Sequence, residues 1–299
     1  MATQLVEQQT PEELRSFYEE NGYLVVRDAL TLEEVEEIRA EAVAICRGER
    51  GVVQGAEPGA PGETDDEVMS RYLCIHHAHK TSEVMLGYMS HPAVVRVLTS
   101  VIGPNVKCMQ SMLFIKSAGK PGQAWHQDED FIPTRDRSLI GAWISLDHAT
   151  TENGCLWVIP GSHKPGILWQ MRQLDDPDFD CAPESFDYPY SDDEAIPVEV
   201  APGSVIFFNG YILHRSLPNR AKSGFRRSLV NHYMSAESLL AWSYDLNLAQ
   251  ADYRDIVMVA GRDPYAYKGL EHRVDAQVRF DREGGCQWIG ETKPVAEIG

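Results

Sequence analysis

The chain is 299 residues long and 43% apolar, with 27 basic against 45 acidic side chains and a formal net charge of −18. That apolar content supports a sizeable core, and the acidic balance argues against a basic patch for nucleic acid or an anionic membrane. No apolar run approaches membrane-spanning length, and the polar start from Met1 to Gln9 lacks the basic-then-apolar pattern of a signal peptide.

Six cysteines (Cys46, Cys74, Cys108, Cys155, Cys181, Cys286) are scattered without a CxxC, several of them in apolar runs. They read as reduced core residues of a soluble, cytoplasmic protein.

Helices come first. Thr10-Pro11-Glu12-Glu13 is a capping box with proline at the first helical position, and that helix stops near Asn21-Gly22. Tyr23 to Val26 reads as a short strand. Thr31-Leu32-Glu33-Glu34 repeats the capping signal, and Leu32, Val35, Ile38, Ala42 and Ile45 line one face of the helix that follows. Residues 49–67 hold many Gly, Pro, Asp and Glu and read as a mobile loop. A third helix starts at Ser90-His91-Pro92 and ends at Gly103.

From about Val106 the rhythm becomes short extended segments with Gly and Pro between them. The candidate strands are Lys107–Lys116, Gln123–Asp128, Leu139–Asp147, Leu156–Ile159, Ser204–Asn209 and Arg226–Met234, which together indicate a β-sandwich or barrel. An acidic, aromatic insertion spans about 170–197, a length typical of a functional lid. The tail reads as helical around Ala236–Asn247 and then irregular. The expected organisation is a single domain over 1–299: helical support and loop in 1–105, the β core in 106–235, and a C-terminal helical or irregular extension in 236–299.

The chemistry gathers around Trp125-His126-Gln127-Asp128 and a later His214. In an extended strand, residues two apart share a face, so His126 and Asp128 can reach one point while Gln127 looks away. A second imidazole completes two nitrogens and one carboxylate on one side of a metal, the ligand pattern of non-heme Fe(II) oxygenases. A bare His-x-Asp is common by chance, so its neighbours decide. Pro202-Gly203-Ser204-Val205 turns into an apolar strand that runs toward His214. Arg226 alternates on one strand face with Ser228, Val230 and His232, where a guanidinium can grip a carboxylate.

These segments, with Asn153-Gly154-Cys155-Leu156-Trp157-Val158-Ile159-Pro160-Gly161-Ser162-His163-Lys164, His214-x-Ser216 and Gly224-Phe225-Arg226, resemble the phytanoyl-CoA dioxygenase family over roughly residues 10 to 235. The resemblance implies a mainly β, double-stranded β-helix (jelly-roll, cupin-like) core with flanking N- and C-terminal α-helices. It implies Fe(II) held by His126, Asp128 and His214, with room left for 2-oxoglutarate and O2 as cosubstrates. It assigns Arg226 to the far carboxylate of 2-oxoglutarate, adds the Ser216 hydroxyl, and lines that pocket with Met112 and Trp143. The implied reaction oxidises a C–H bond of a small organic substrate and releases succinate and CO2. Related halogenases carry a small residue in place of the carboxylate, so Asp128 argues against halogenation.

In one place the pattern departs from the family. A further basic contact is often supplied from before the core, and here that region reads Cys74-Ile75-His76-His77-Ala78-His79-Lys80, with no single residue aligned to the role. His76, His77 and His79 read as cavity lining or as ordinary hydrogen-bonded histidines rather than a second metal site. Asp130 is a rival ligand to Asp128. Asp147-His148 and Arg227 read as structural. Phe131, Trp169, Tyr188 and Tyr190 are lid candidates. The competing functional reading is a non-catalytic, cupin-like metal or small-molecule binder; an iron-independent isomerase or epimerase is disfavoured by the intact triad. The acidic chain and the absence of a Ser-Lys-Leu ending point away from a peroxisomal acyl-CoA enzyme.

Overall fold

The computed structural model describes residues 10–239 and 254–279. Three α-helices open on capping boxes: α1 (Pro11–Asn21) on Thr10/Glu13, α2 (Leu32–Cys46) on Thr31/Glu34, and α3 (Asp65–Met69) on Thr64/Glu67. The third lies in the stretch expected to be a loop. That stretch is also anchored by buried Val53 and by a bridge from Gln54 to Gln277. Strand β1 (Tyr23–Val26) follows α1. After β2 (Cys74–His76) come α4 (Glu83–Tyr88) and α5 (Pro92–Val101). The α2 stripe is buried as expected at Val35, Ile38, Ala42 and Ile45, whereas Leu32, at the first helical position, is 70% exposed.

The remaining strands are β3 (Val106–Ser117), β4 (Gln123–His126), β5 (Ile140–Ser145), β6 (Leu156–Val158), β7 (Gln170–Arg172), β8 (Glu184–Phe186), β9 (Ile196–Val198), β10 (Val205–Asn209), β11 (His214–Ser216), β12 (Phe225–Ser235), β13 (Val257–Ala260) and β14 (Gln277–Arg279). The main sheet runs β1-β10-β5-β12-β3-β2-β14, with β13 also pairing β3, and the minor sheet runs β4-β11-β6-β9. Among the described residues these strands pair antiparallel throughout. The architecture is mainly β, with two facing sheets.

One face of the main sheet (Leu113, Ile115, Ile144, Phe207, Leu229) is covered by helical residues such as Leu14, Ile38 and Leu98. The other face meets the minor sheet, with Met112, Trp143, Ile206 and Val230 packed in one cluster with Leu156, Val158 and Val198. This two-sided burial explains why the long central strands read as nearly continuous apolar runs rather than strict alternations.

Several expectations need correction. The insertion 170–197 carries regular structure: it forms the β7–β8 hairpin and then β9, an edge of the minor sheet. The helix expected around 236–247 falls largely outside the described residues, and 236–239 form a turn and coil. Where the tail was read as irregular, β13 and β14 extend the main sheet. Cys46, Cys74, Cys108 and Cys155 are free and buried, but Cys181, in the insertion rather than the core, is disulfide-bonded.

Asp147 ties α2 to this framework. Its carboxylate accepts from Arg227 N, Nε and NH2 at 2.7, 2.9 and 2.8 Å and from Arg39 NH2 at 3.0 Å. Arg227 therefore forms the ion pair expected of it, but largely out of solvent. Replacing Asp147 by Ala leaves Arg227 without its carboxylate, while Arg39 keeps Glu36, and we expect a loss of roughly 2–3 kcal/mol in urea unfolding. His148→Ala, at an exposed neighbour, should leave the midpoint unchanged.

Candidate metal centre and adjoining pocket

Strand β4 ends at His126, two residues earlier than expected, and Asp128 opens a 3-10 turn, Asp128–Asp130. Gln127 between them keeps an extended backbone (φ −126°, ψ 125°), so the two-residue relation survives although the strand does not. The Gln127 side chain points the other way and is fully engaged: its amide donates to Ile167 O and Tyr211 O, and its oxygen accepts from Trp169 N. Asp130 is not among the converging groups.

His214 is the first residue of β11 and stands directly opposite His126 in the β4–β11 pair. The ring centroids are 4.1 Å apart. Each Nδ1 lies beside a backbone carbonyl, His126 with Ala124 O at 2.7 Å and His214 with Ile212 O at 3.0 Å. A carbonyl only accepts, so both Nδ1 atoms carry the proton and both Nε2 lone pairs are free for a metal. Asp128 Oδ1 is 3.6 Å from each Nε2. The three ligand atoms lie within 4.8 Å of one another, on residues that are all buried.

Asp128 Oδ2 is held separately, accepting from His232 Nε2 at 3.0 Å. The sequence reading placed His232 on the Arg226 face without a role; the structure gives it one, orienting the carboxylate so that Oδ1 faces the histidines. Burial works against the Asp128 carboxylate, but His214 and His232 outweigh it and hold the carboxyl below its usual range. Burial, then the neighbouring His214, pulls His126 down to about 3, so its imidazole is neutral, the state a metal requires. The donor set fits Fe(II): two imidazole nitrogens and one carboxylate on one side, the other side open.

Beyond the triad lies a pocket lined by Arg226, Ser216, Trp143 and Met112, together with His126, Asp128 and His214. All four residues expected to face a cosubstrate therefore share one cavity with the candidate ligands. Arg226 is 3% exposed; NH1 donates to Ser228 Oγ at 3.0 Å, and Nε is buried with no partner. Its guanidinium lies 5.4 Å from the Trp143 ring centroid. Burial lowers it only to about 10, so it stays charged, and no carboxylate among the described residues pairs with it.

Lys116 was missed by the sequence reading. It stands opposite Arg226 in the β3–β12 register and is 1% exposed. Its Nζ donates to Ser216 Oγ at 3.0 Å and Leu217 O at 2.8 Å. Gln123 N also donates to Ser216 Oγ, at 3.3 Å, which occupies the acceptor side of that hydroxyl and leaves its proton to be donated into the pocket. Burial, and then Arg226, push the Lys116 amine well below its ordinary range. The only sequence signal was a lysine inside an otherwise buried strand. Gly154 (φ +84°) borders this corner, where a Cβ would lie 2.2 Å from Leu217 O and 3.1 Å from Lys116 Nζ.

Of the histidine cluster, His76 lines a second, larger cavity that shares Asp128, His232 and Met112 with the first. His79 is buried against Ser111 Oγ at 2.7 Å, and neither it nor His77 reaches the cavity. Phe131 and insertion residues Cys181–Pro183 do line it, whereas Trp169, Tyr188 and Tyr190 pack with Trp125, Ile159 and Leu213.

The family model for phytanoyl-CoA dioxygenase matches residues 18–228. Rat peroxisomal phytanoyl-CoA dioxygenase is 30% identical over 244 residues, covering 75% of this chain and 68% of its own. Rice phytanoyl-CoA dioxygenase 1 is 30% identical over 264 residues, covering 78% and 92%. Among solved structures, the apo non-heme monooxygenase ThoJ superposes with a TM-score of 0.65 at 21% identity, covering 84% of each chain. The epimerase SnoN, solved with Fe3+, alpha-ketoglutarate and nogalamycin RO, gives 0.61 at 21%, covering 85% and 96%. These two share the fold, the jelly-roll architecture expected for the core. No helix among the described residues is long and apolar enough to cross a membrane. The chain belongs to the phytanoyl-CoA dioxygenase family and is an oxidoreductase.

Proposed function

We propose that the chain is an Fe(II)- and 2-oxoglutarate-dependent dioxygenase that oxidises a C–H bond of a small organic molecule in the cytoplasm, by hydroxylation or a related outcome. One observation supports this above the rest. Two imidazole Nε2 atoms and one carboxylate oxygen converge on a buried point, and an unpaired buried guanidinium stands in the same pocket.

In this reading His126, Asp128 and His214 hold the iron. Arg226 and the Ser216 hydroxyl bind the far carboxylate of 2-oxoglutarate, with Lys116 fixing Ser216 and Trp143 and Met112 walling the pocket. Iron, 2-oxoglutarate and O2 together supply the oxidising power, with succinate and CO2 as coproducts. The chain's own contribution is positional. The histidine tautomers are set by backbone carbonyls, the Asp128 carboxylate is pinned by His232, and Phe208, Leu156 and Trp143 give the groove apolar walls. The substrate side is the larger cavity beyond Asp128.

Purified protein supplied with Fe(II), 2-oxoglutarate and O2 should release succinate, slowly without prime substrate, and His126→Ala should abolish both metal binding and turnover. A His126→Ala variant with full activity would end the assignment. Arg226→Ala should bind Co(II) normally while its calorimetric affinity for 2-oxoglutarate falls at least tenfold, as expected for a lost charge-assisted pair; an unchanged affinity would favour the non-catalytic binder instead. His232→Ala should weaken Co(II) binding about 10–100-fold and alter the cobalt absorption spectrum, with His232→Gln restoring much of both. Unaltered spectra in His232→Ala would show that the Asp128 contact is dispensable.

A further inference from the structure

The second cavity, about 350 Å³, is within the size range of small-molecule sites, and its wall carries a readable chemistry. The registers set Gln277 of β14 opposite His76 of β2, His76 opposite Met112 of β3, and Met112 opposite Val230 of β12. Directly paired residues share a face, so a rank of side chains runs along the cavity from the last described strand toward the candidate iron centre. One pair further on, Gln110 stands opposite His232, the residue that holds Asp128.

The charged groups of this wall are already matched. Arg279 is paired with Asp180 at 2.7 Å, and Asp180 is 1% exposed. Asp128 and His232 hold each other beside the triad. Burial, with Arg279 and His77 adding, takes His76 down to about 3, so that ring is neutral. What remains polar is uncharged: His76 and the carboxamides of Gln110, Gln123 and Gln277. The Gln110 amide donates to His76 Nδ1 at 3.3 Å, which leaves the ring proton on Nε2. The edge then offers one N–H, from His76 Nε2, and one carbonyl oxygen, from Gln110, neither with a partner among the described residues. The rest of the lining includes Phe131, Ile132, Pro183 and Val278.

Among the described residues a charged ligand group would find no free counter-ion here, and an unpaired charge out of water costs several kcal/mol. A hydroxyl or carboxamide donates and accepts at once and matches the edge on both counts. We infer that the prime substrate is an uncharged small molecule whose hydroxyl or carboxamide docks on His76, Gln110 and Gln277, with its aliphatic part turned toward the Asp128 side. The inference rests on the dioxygenase reading only in taking this cavity as the place where the oxidised molecule binds. It departs from the CoA ester named for the relatives, since the phosphates of a CoA nucleotide need cations that the described residues of this wall do not leave free.

Four probes of one chain length test it: decanamide, 1-decanol, decanoate and decanoyl-CoA. Each is titrated by calorimetry into metal-free protein and into protein loaded with Co(II) and 2-oxoglutarate. We expect the amide and the alcohol to bind at least tenfold more tightly than the acid and the CoA ester. Gln110→Leu should lower decanamide affinity tenfold or more and leave decanoate unchanged. Asp180→Asn, which frees Arg279, should raise decanoate affinity at least tenfold; should that variant fail to fold, Gln277→Leu, weakening the amide alone, carries the same test. Decanoate or decanoyl-CoA binding as tightly as the amide, or no binding by any of the four, would overturn the inference. An amide preference without Co(II) or 2-oxoglutarate binding would remove the dioxygenase reading and keep this one, and the reverse pattern would do the opposite.

Discussion

Strands β4 and β11 set His126 directly opposite His214, and the rest of the site is arranged around that pairing. Because side chains alternate with a period of two, a slip of one residue would send one imidazole to the far face of the minor sheet. The register shifts just beyond, where Ser216 meets Gln123 instead of Ala124. Such irregularities re-aim side chains beside active sites, and this one brings Gln123 N onto the Ser216 hydroxyl. It also draws Gly122 so close that a Cβ there would sit 2.1 Å from Ser216 O.

Around this pairing the protein buries a dense set of ionisable groups: Asp128, Arg226, Lys116 and His232 are each under a tenth exposed. Burial of this kind is costly unless partners are supplied, and the site supplies them unevenly. Asp128 is bonded through Oδ2 and aimed at the histidines through Oδ1. Lys116 is met only by a hydroxyl and a carbonyl, and Arg226 by a single serine. The imbalance is positive charge at one end of the pocket and a carboxylate between imidazoles at the other. That polarity suits a dicarboxylate cosubstrate lying between a divalent metal and a guanidinium. The larger cavity is its counterpart, with Arg279 already paired to Asp180, so that under the proposed function one molecule would be held by charge and the other by hydrogen bonds and shape.

Much of this was legible residue by residue. The Thr10 and Thr31 capping boxes announce their helices because the signal is local, one hydroxyl and one carboxyl three positions apart. Thr64 with Glu67 carries the same signal but was hidden in a stretch rich in Gly and Pro. Six strands were visible as extended segments; among those that were not are β2, β13 and β14. These are short strands whose stability comes from neighbours on the main sheet rather than from any pattern of their own. Asp128 was placed on the correct side for a reason only half right, since the extended backbone persists through Gln127 and the strand pairing does not.

The order of residues along the chain determined the candidate ligand types, and backbone periodicity alone set the two-residue relation of His126 and Asp128 and the face shared by Arg226 and His232. Only the tertiary structure decided which distant groups meet. Lys116 reaches Ser216, His232 holds Asp128, Gln277 joins His76, and Asp180 neutralises Arg279, pairs separated by 100, 104, 201 and 99 positions. Such contacts depend on strand order and register across two sheets, and no local propensity encodes either. That is why the iron chemistry could be read early, while the character of the larger cavity emerged only when the last described strand was seen lying against β2.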